Sequence, residues 1–112
     1  MDNSLKDKVE QLNWKTDVTL KNVEEFRRAL LKLTDSEKTK LVLELTEVSY
    51  LNSAALGVIA DAVLRAGRAD KELLIGGVQA TVGEIFEIVH FRTLMKIFPD
   101  IGEAYAYFEG EE

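Results

Sequence analysis

The run Leu41-Val42-Leu43-Glu44-Leu45-Thr46-Glu47-Val48-Ser49-Tyr50-Leu51-Asn52-Ser53-Ala54-Ala55-Leu56-Gly57-Val58-Ile59 decides the fold. Its first five residues are short, branched and nearly continuous in apolarity, as a strand buried on both faces should be. Thr46 to Leu51 leads away from that strand. From Ser53 the apolar spacing turns helical, and a helix is predicted over 53–68. Leu56, Ile59, Ala60, Val63 and Leu64 form its expected core face. At ~100° per residue, Val58, Ala62, Arg65 and Ala69 project from roughly the opposite side. That side is small and apolar, bordered by Asp61, Arg65 and Arg68. It is either covered by a second layer of the same domain or presented to another protein.

The pattern extends in both directions. Upstream, Asn22 opens a helix with Glu25 as its capping-box partner, and Val23, Phe26, Leu30 and Leu33 share one face. Val9 to Leu20 is patterned more weakly. Val9, Leu12 and Trp14, then Val18 and Leu20 at period two, read as one or two short strands. Downstream, Leu73-Leu74-Ile75 is a strand closed by Gly76-Gly77. Thr81 with Glu84 is a second capping box, ahead of Val82, Ile85, Phe86 and Val89. Leu94 to Phe98 makes a last short strand. Asp100 with Glu103 starts a final helix carrying Ile101, Ala104, Tyr105 and Phe108. This alternation predicts an α/β domain over 9–109, with a small mixed central sheet of about 4–5 strands and about four helices packed on it. Residues 1–8 and 110–112 are expected to be flexible ends.

Composition narrows the functions available. The chain has 112 residues and a formal net charge of −6, which suits one soluble domain and disfavours phosphate-backbone binding to nucleic acid. It has no cysteine and one histidine, His90, so neither a disulfide framework nor a thiolate metal site is available. No metal site and no cofactor are expected. The apolar stretch 54–60 is too short to span a bilayer, and the first residues lack a signal-peptide core, so the expected location is cytoplasmic, without membrane insertion. Ser53 has no Gly-x-Ser-x-Gly elbow and no evident histidine partner. The glycines at 76, 77 and 83 lack the Lys-Ser/Thr of a phosphate-binding loop. An enzyme is therefore not expected.

Ser53 itself invites two readings. The other three predicted helices carry an acidic residue three positions after the cap; counting from Asn52 or Ser53, that position is Ala55 or Leu56. A small hydroxyl thus lies beside free backbone N–H groups, where the helix dipole favours an anion. The hydroxyl is either a helix cap or a modification site.

The stretch 43–59 resembles the central signature of STAS domains, the anti-sigma factor antagonist family: a buried strand, a hydrophobic step, then Asp-Ser-Ser-Gly-Leu-Gly-Val-Leu opening a helix. Val82 to Val89, Phe91 to Phe98 and Ile101-Gly102-Glu103-Ala104 are similar to the family's last two helices and intervening strand. Asn52 stands where the family has Asp, and Ala54-Ala55 where it has Ser-Gly. Asp17-Val18-Thr19-Leu20 is the nearest counterpart of the segment that precedes the family's first helix. The resemblance implies a binding module without chemistry of its own. Ser53 would be phosphorylated by a partner that is both anti-sigma factor and serine kinase, and a phosphatase would reset it. The unmodified form would bind that partner and release a sigma factor. Asn52, Ser53, Ala54, Ala55, Val58, Ala62 and Arg65 would form the docking surface. The alternative is a STAS scaffold or accessory subunit of the stress-complex or lipid-transport ATPase type, indifferent to phosphate. A monomer and a weak homodimer through the first strand are both open.

Overall fold

A computed structural model describes residues 4–111. Three parallel strands form the sheet in the order β1 (Val9–Asn13), β2 (Lys40–Glu44), β3 (Glu72–Gly76). Five α-helices accompany them: α1 (Ser4–Lys8), α2 (Val23–Thr34), α3 (Ser53–Arg68), α4 (Ala80–Ile88) and α5 (Ile101–Glu111). Parallel neighbours cannot be joined by a hairpin, so each connection crosses over through a helix.

The central strand explains the layering. Leu41, Val42 and Leu43 are all fully buried. Leu41 and Leu43 face one way, into a core with Phe26, Leu30, Leu33, Ile59, Ala62, Val82 and Phe86 from α2, α3 and α4. Val42 faces the other way and packs with Val9, Leu74, Ala104 and Phe108, so α5 covers the opposite face. Leu5 of α1 joins that second cluster, although the sequence suggested only a flexible lead-in there. Helix α5 likewise continues through Gly110 and Glu111.

The sheet is smaller than expected and wholly parallel rather than mixed. Two of the predicted strands shrink to single bridges, Val18 with Leu51 and Ile75 with Ile97. Leu20 does not continue the first: Val18 is fully buried but Leu20 is 87% exposed, because the chain turns at 19–22. In the second, Leu94 and Met95 close a 3-10 turn over Phe91–Thr93 by donating to Phe91 O, leaving Lys96–Phe98 to run beside β3.

Two of the three expected capping boxes do not form. Asn22 is the cap residue of α2, but its side chain turns back to accept from Thr19 N at 2.8 Å and donate to Asp17 O at 2.9 Å. Helix α4 begins at Ala80, which leaves Thr81 inside it. Only Asp100 caps as expected, accepting from Glu103 N at 2.8 Å.

Gly77 closes the turn after β3 with φ of +72°, and an added Cβ would collide with Thr46 Oγ1 and lie 3.0 Å from Glu44 Oε2. Gly77→Ala therefore combines left-handed backbone strain with a clash. It is expected to lower unfolding free energy by about 1–3 kcal/mol, read by urea denaturation.

Candidate functional site

The three parallel strands all end on one side of the sheet, so the loops after β1 and β2 meet there. The meeting is fixed by hydrogen bonds from both loops. Val18 N donates to Tyr50 O and Asn52 N to Val18 O, each at 3.1 Å. The Asp17 carboxylate accepts from Ser49 N at 2.8 Å, Tyr50 N at 3.2 Å and Ser49 Oγ at 3.1 Å. Asn22 gathers the first loop onto itself through Thr19 N and Asp17 O. Residues 17–22 and 49–52 thus form one platform leading into α3.

At the start of α3 the side chains divide their roles. Asn52 is extended and its Oδ1 accepts from Ala55 N at 2.8 Å, so Asn52 is the cap. Ser53 is the first helical residue and exposed. Among the described residues its hydroxyl has no hydrogen-bond partner, which removes the reading of Ser53 as a cap. The first turn of α3 carries no acidic residue. An oxyanion at Ser53 would meet the positive end of a sixteen-residue helix with no acidic side chain in its first turn.

A groove of about 670 Å³ opens beside Ser53, lined by Thr19, Leu20, Lys21, Tyr50, Asn52 and Ser53. Leu20 is 87% and Tyr50 49% exposed. Lys21 is the only ionised group in that lining. These are the features of a small docking surface: apolar anchors, a cation and a free hydroxyl. Leu20, Lys21 and Tyr50 were missed in the sequence. The available signal was a large apolar side chain in each of two polar loop stretches.

The residues predicted for docking do not all meet there. Asn52, Ser53 and Ala54 reach the surface. Ala55 and Ala62 are fully buried and Val58 is nearly so. They belong to the core, because α2 packs over that side of α3. Leu64, assigned to the core face, is 47% exposed. Arg65 is committed to structure: its Nε and Nη2 donate to Thr34 Oγ1 at 3.2 and 3.0 Å, and Nη1 pairs with Asp61 at 2.5 Å. Lys71 Nζ reaches Thr34 O and Ser36 O nearby, so two cations hold the carboxyl end of α2. The exposed stripe of α3 is Ser53, Gly57, Asp61, Leu64 and Arg68. His90 is exposed in a left-handed turn after α4.

The comparisons agree with this architecture. The STAS domain family matches residues 6–104, and the chain belongs to that family. The anti-sigma-B factor antagonist of Staphylococcus aureus is 31% identical over 75 residues, spanning 67% of this chain and 69% of that protein. A crystal structure of a candidate anti-sigma factor antagonist from Thermotoga maritima superposes with a TM-score of 0.82 at 20% identity, covering 90% of this chain and 87% of the other. A sulfate transporter family protein from Wolinella succinogenes shares the fold, with a TM-score of 0.76 at 14% identity over 89% and 84% of the two chains. The chain is thus a STAS domain homologous to anti-sigma factor antagonists. Among the described residues, no helix is long and apolar enough to cross a membrane.

Two measurements check the local geometry. Asn52→Ala should lower stability by about 1 kcal/mol through loss of the cap, while Ser53→Ala should change it by only a few tenths. A second concerns Asp17, whose carboxyl is held below its ordinary pKa, chiefly by the Ser49 N–H. A lowered folded pKa adds stability that is present above the unfolded value of about 3.9 and disappears as pH falls through the folded one. Asp17→Asn should therefore be less stable than the natural protein near neutrality, and the gap should narrow on acidification. Unfolding curves across that range would show it.

Proposed function

We propose that this STAS domain works as an anti-sigma factor antagonist whose binding surface is the platform around Ser53, and that phosphorylation of Ser53 switches binding off. The partner is an anti-sigma factor that is also a serine kinase; a phosphatase would restore the binding form. One observation carries the reading. Asn52 takes over the capping role and leaves Ser53 as an exposed, unengaged hydroxyl at the first position of α3. A serine needed as a cap would lose that bond on modification, whereas this one can be modified without cost to the helix.

The physical basis of the switch is desolvation. The unmodified groove offers Leu20 and Tyr50 as apolar anchors beside a small neutral hydroxyl. A phosphate there adds about −1.5 to −2 charge and strong acceptors. Free in solution, the phosphate is stabilised by the helix end and by Lys21. In a complex it must be stripped of water, and unless the partner supplies a cation that cost is not recovered. The family's members are binding modules, and here too the site needs no reaction of its own: the kinase brings the nucleotide. Location in the cytoplasm follows from the partner.

The test uses the anti-sigma factor kinase from the same cell, ATP and intact mass with peptide mapping. Phosphate is expected on Ser53 and absent from Ser53→Ala. Affinity for the kinase should fall roughly tenfold or more in Ser53→Glu and survive in Ser53→Ala. Phosphate elsewhere would overturn the switch. So would a stoichiometric complex equally tight with Ser53→Glu, which would instead establish a permanent scaffold or accessory subunit.

A further inference from the structure

The two edges of the sheet are finished differently. Beyond β3, Ile75 N donates to Lys96 O at 3.0 Å and Phe98 N to Ile75 O at 2.8 Å, so that edge is covered. Beyond β1 no strand pairs among the described residues. Trp14 N donates to Glu44 O at 3.0 Å, which fixes the phase of the ladder. Glu10 and Leu12 turn their backbone groups toward β2; Gln11 and Asn13 turn theirs outward. No hydrogen bond among the described residues uses the N–H or C=O of Gln11 or Asn13. The strand Val9–Asn13 contains no proline and no lysine, and its register against β2 is unbroken by a bulge. Its defences as an open edge are limited to its short length and the single charge of Glu10.

A groove of about 330 Å³ flanks this edge on each face of the sheet. On the α2 side Leu12, Ala29, Leu33 and Lys32 line it together with Glu10, whose carboxylate accepts from Ser36 Oγ at 3.2 Å. On the other, Leu5, Ile101 and Tyr105 do, with Gln11 between them. An added strand would send alternate side chains into the two grooves.

We propose that this edge takes β1 of a second copy, antiparallel, about a two-fold axis at Gln11, joining two three-stranded sheets into one. The side chains favour this occupant because they are self-complementary, as a two-fold interface requires. The second copy brings Leu12 and Glu10 to the α2 side, where the groove offers apolar Leu12, Ala29 and Leu33 and the ammonium of Lys32. The two Gln11 residues then face one another and exchange both backbone hydrogen bonds. The pairing shares no residue with the groove at Ser53, so the dimer stands or falls independently of the phosphorylation switch.

Sedimentation velocity over a concentration series tests it. The natural protein should rise from its monomer mass of 12.6 kDa toward twice that value. Gln11→Pro removes the outward N–H together with the side-chain bonds to Asn13 and Tyr105; it should remain folded, monomeric and unchanged in its far-UV spectrum. Because the chain has no cysteine, Gln11→Cys reports the register directly. Under mild oxidation it should form a disulfide dimer much faster than Asp61→Cys, which lies on the exposed side of α3. A natural protein that stays monomeric throughout would overturn the proposal. So would a folded Gln11→Pro that still dimerises, or equal cross-linking of the two cysteine variants. Should Gln11→Pro fail to fold, the cross-linking rates decide.

Discussion

Burial of β2 on both faces is the constraint from which the rest follows. A parallel central strand must be entered and left by crossovers, and each crossover helix must lay its apolar stripe on the sheet. Leu41 and Leu43 demand cover on one side and Val42 on the other; α2, α3 and α4 answer the first demand and α5 the second. The same constraint sets every strand's carboxyl end on one side. The loops after β1 and β2 therefore share a neighbourhood, and in open α/β sheets that is where binding sites form.

What converts neighbourhood into a site is the pinning of two loops by short polar side chains. Asp17 reaches across to Ser49 and Tyr50, and Asn22 binds the first loop to itself. Loops held this way present Leu20 and Tyr50 to solvent at little entropic cost on binding. Asn52 then fixes the direction of α3 and leaves Ser53 at its positive end. The Glu44 carboxylate, accepting from Thr46, and Gln79, donating to Thr46 O, tie in the loop after β2 from the β3 side.

Much of this was legible in the sequence, and the misreadings have physical causes. The strand at 41–45 and the helix at 53–68 announce themselves by a change of period, and the family signature lies across that change. The helix was nevertheless oriented wrongly, by roughly a quarter turn at ~100° per residue. Periodicity weighs Leu64 above Ala62, but close packing against α2 selects Ala55, Ala62 and Ala66 for the interior and leaves Leu64 at the rim. The capping box at Asn22 failed because its pattern is local, and the competing partners, Thr19 N and Asp17 O, lie upstream of the helix. Leu20 was read as a strand residue because alternation cannot reveal that the chain turns there. The role of Asp17 is invisible to local pattern, since its partners are more than thirty residues away.

The proposed switch requires that position 53 accept a phosphate without disturbing the fold, so that the effect falls on binding alone. Protein carrying phosphoserine at 53, compared with the unmodified form by amide NMR, tests this most directly. Shifts confined to residues 19–21 and 50–55, with an unchanged or raised thermal midpoint, are the predicted result. Shifts spreading into Leu41–Leu45, or loss of helix in α3, would contradict the account.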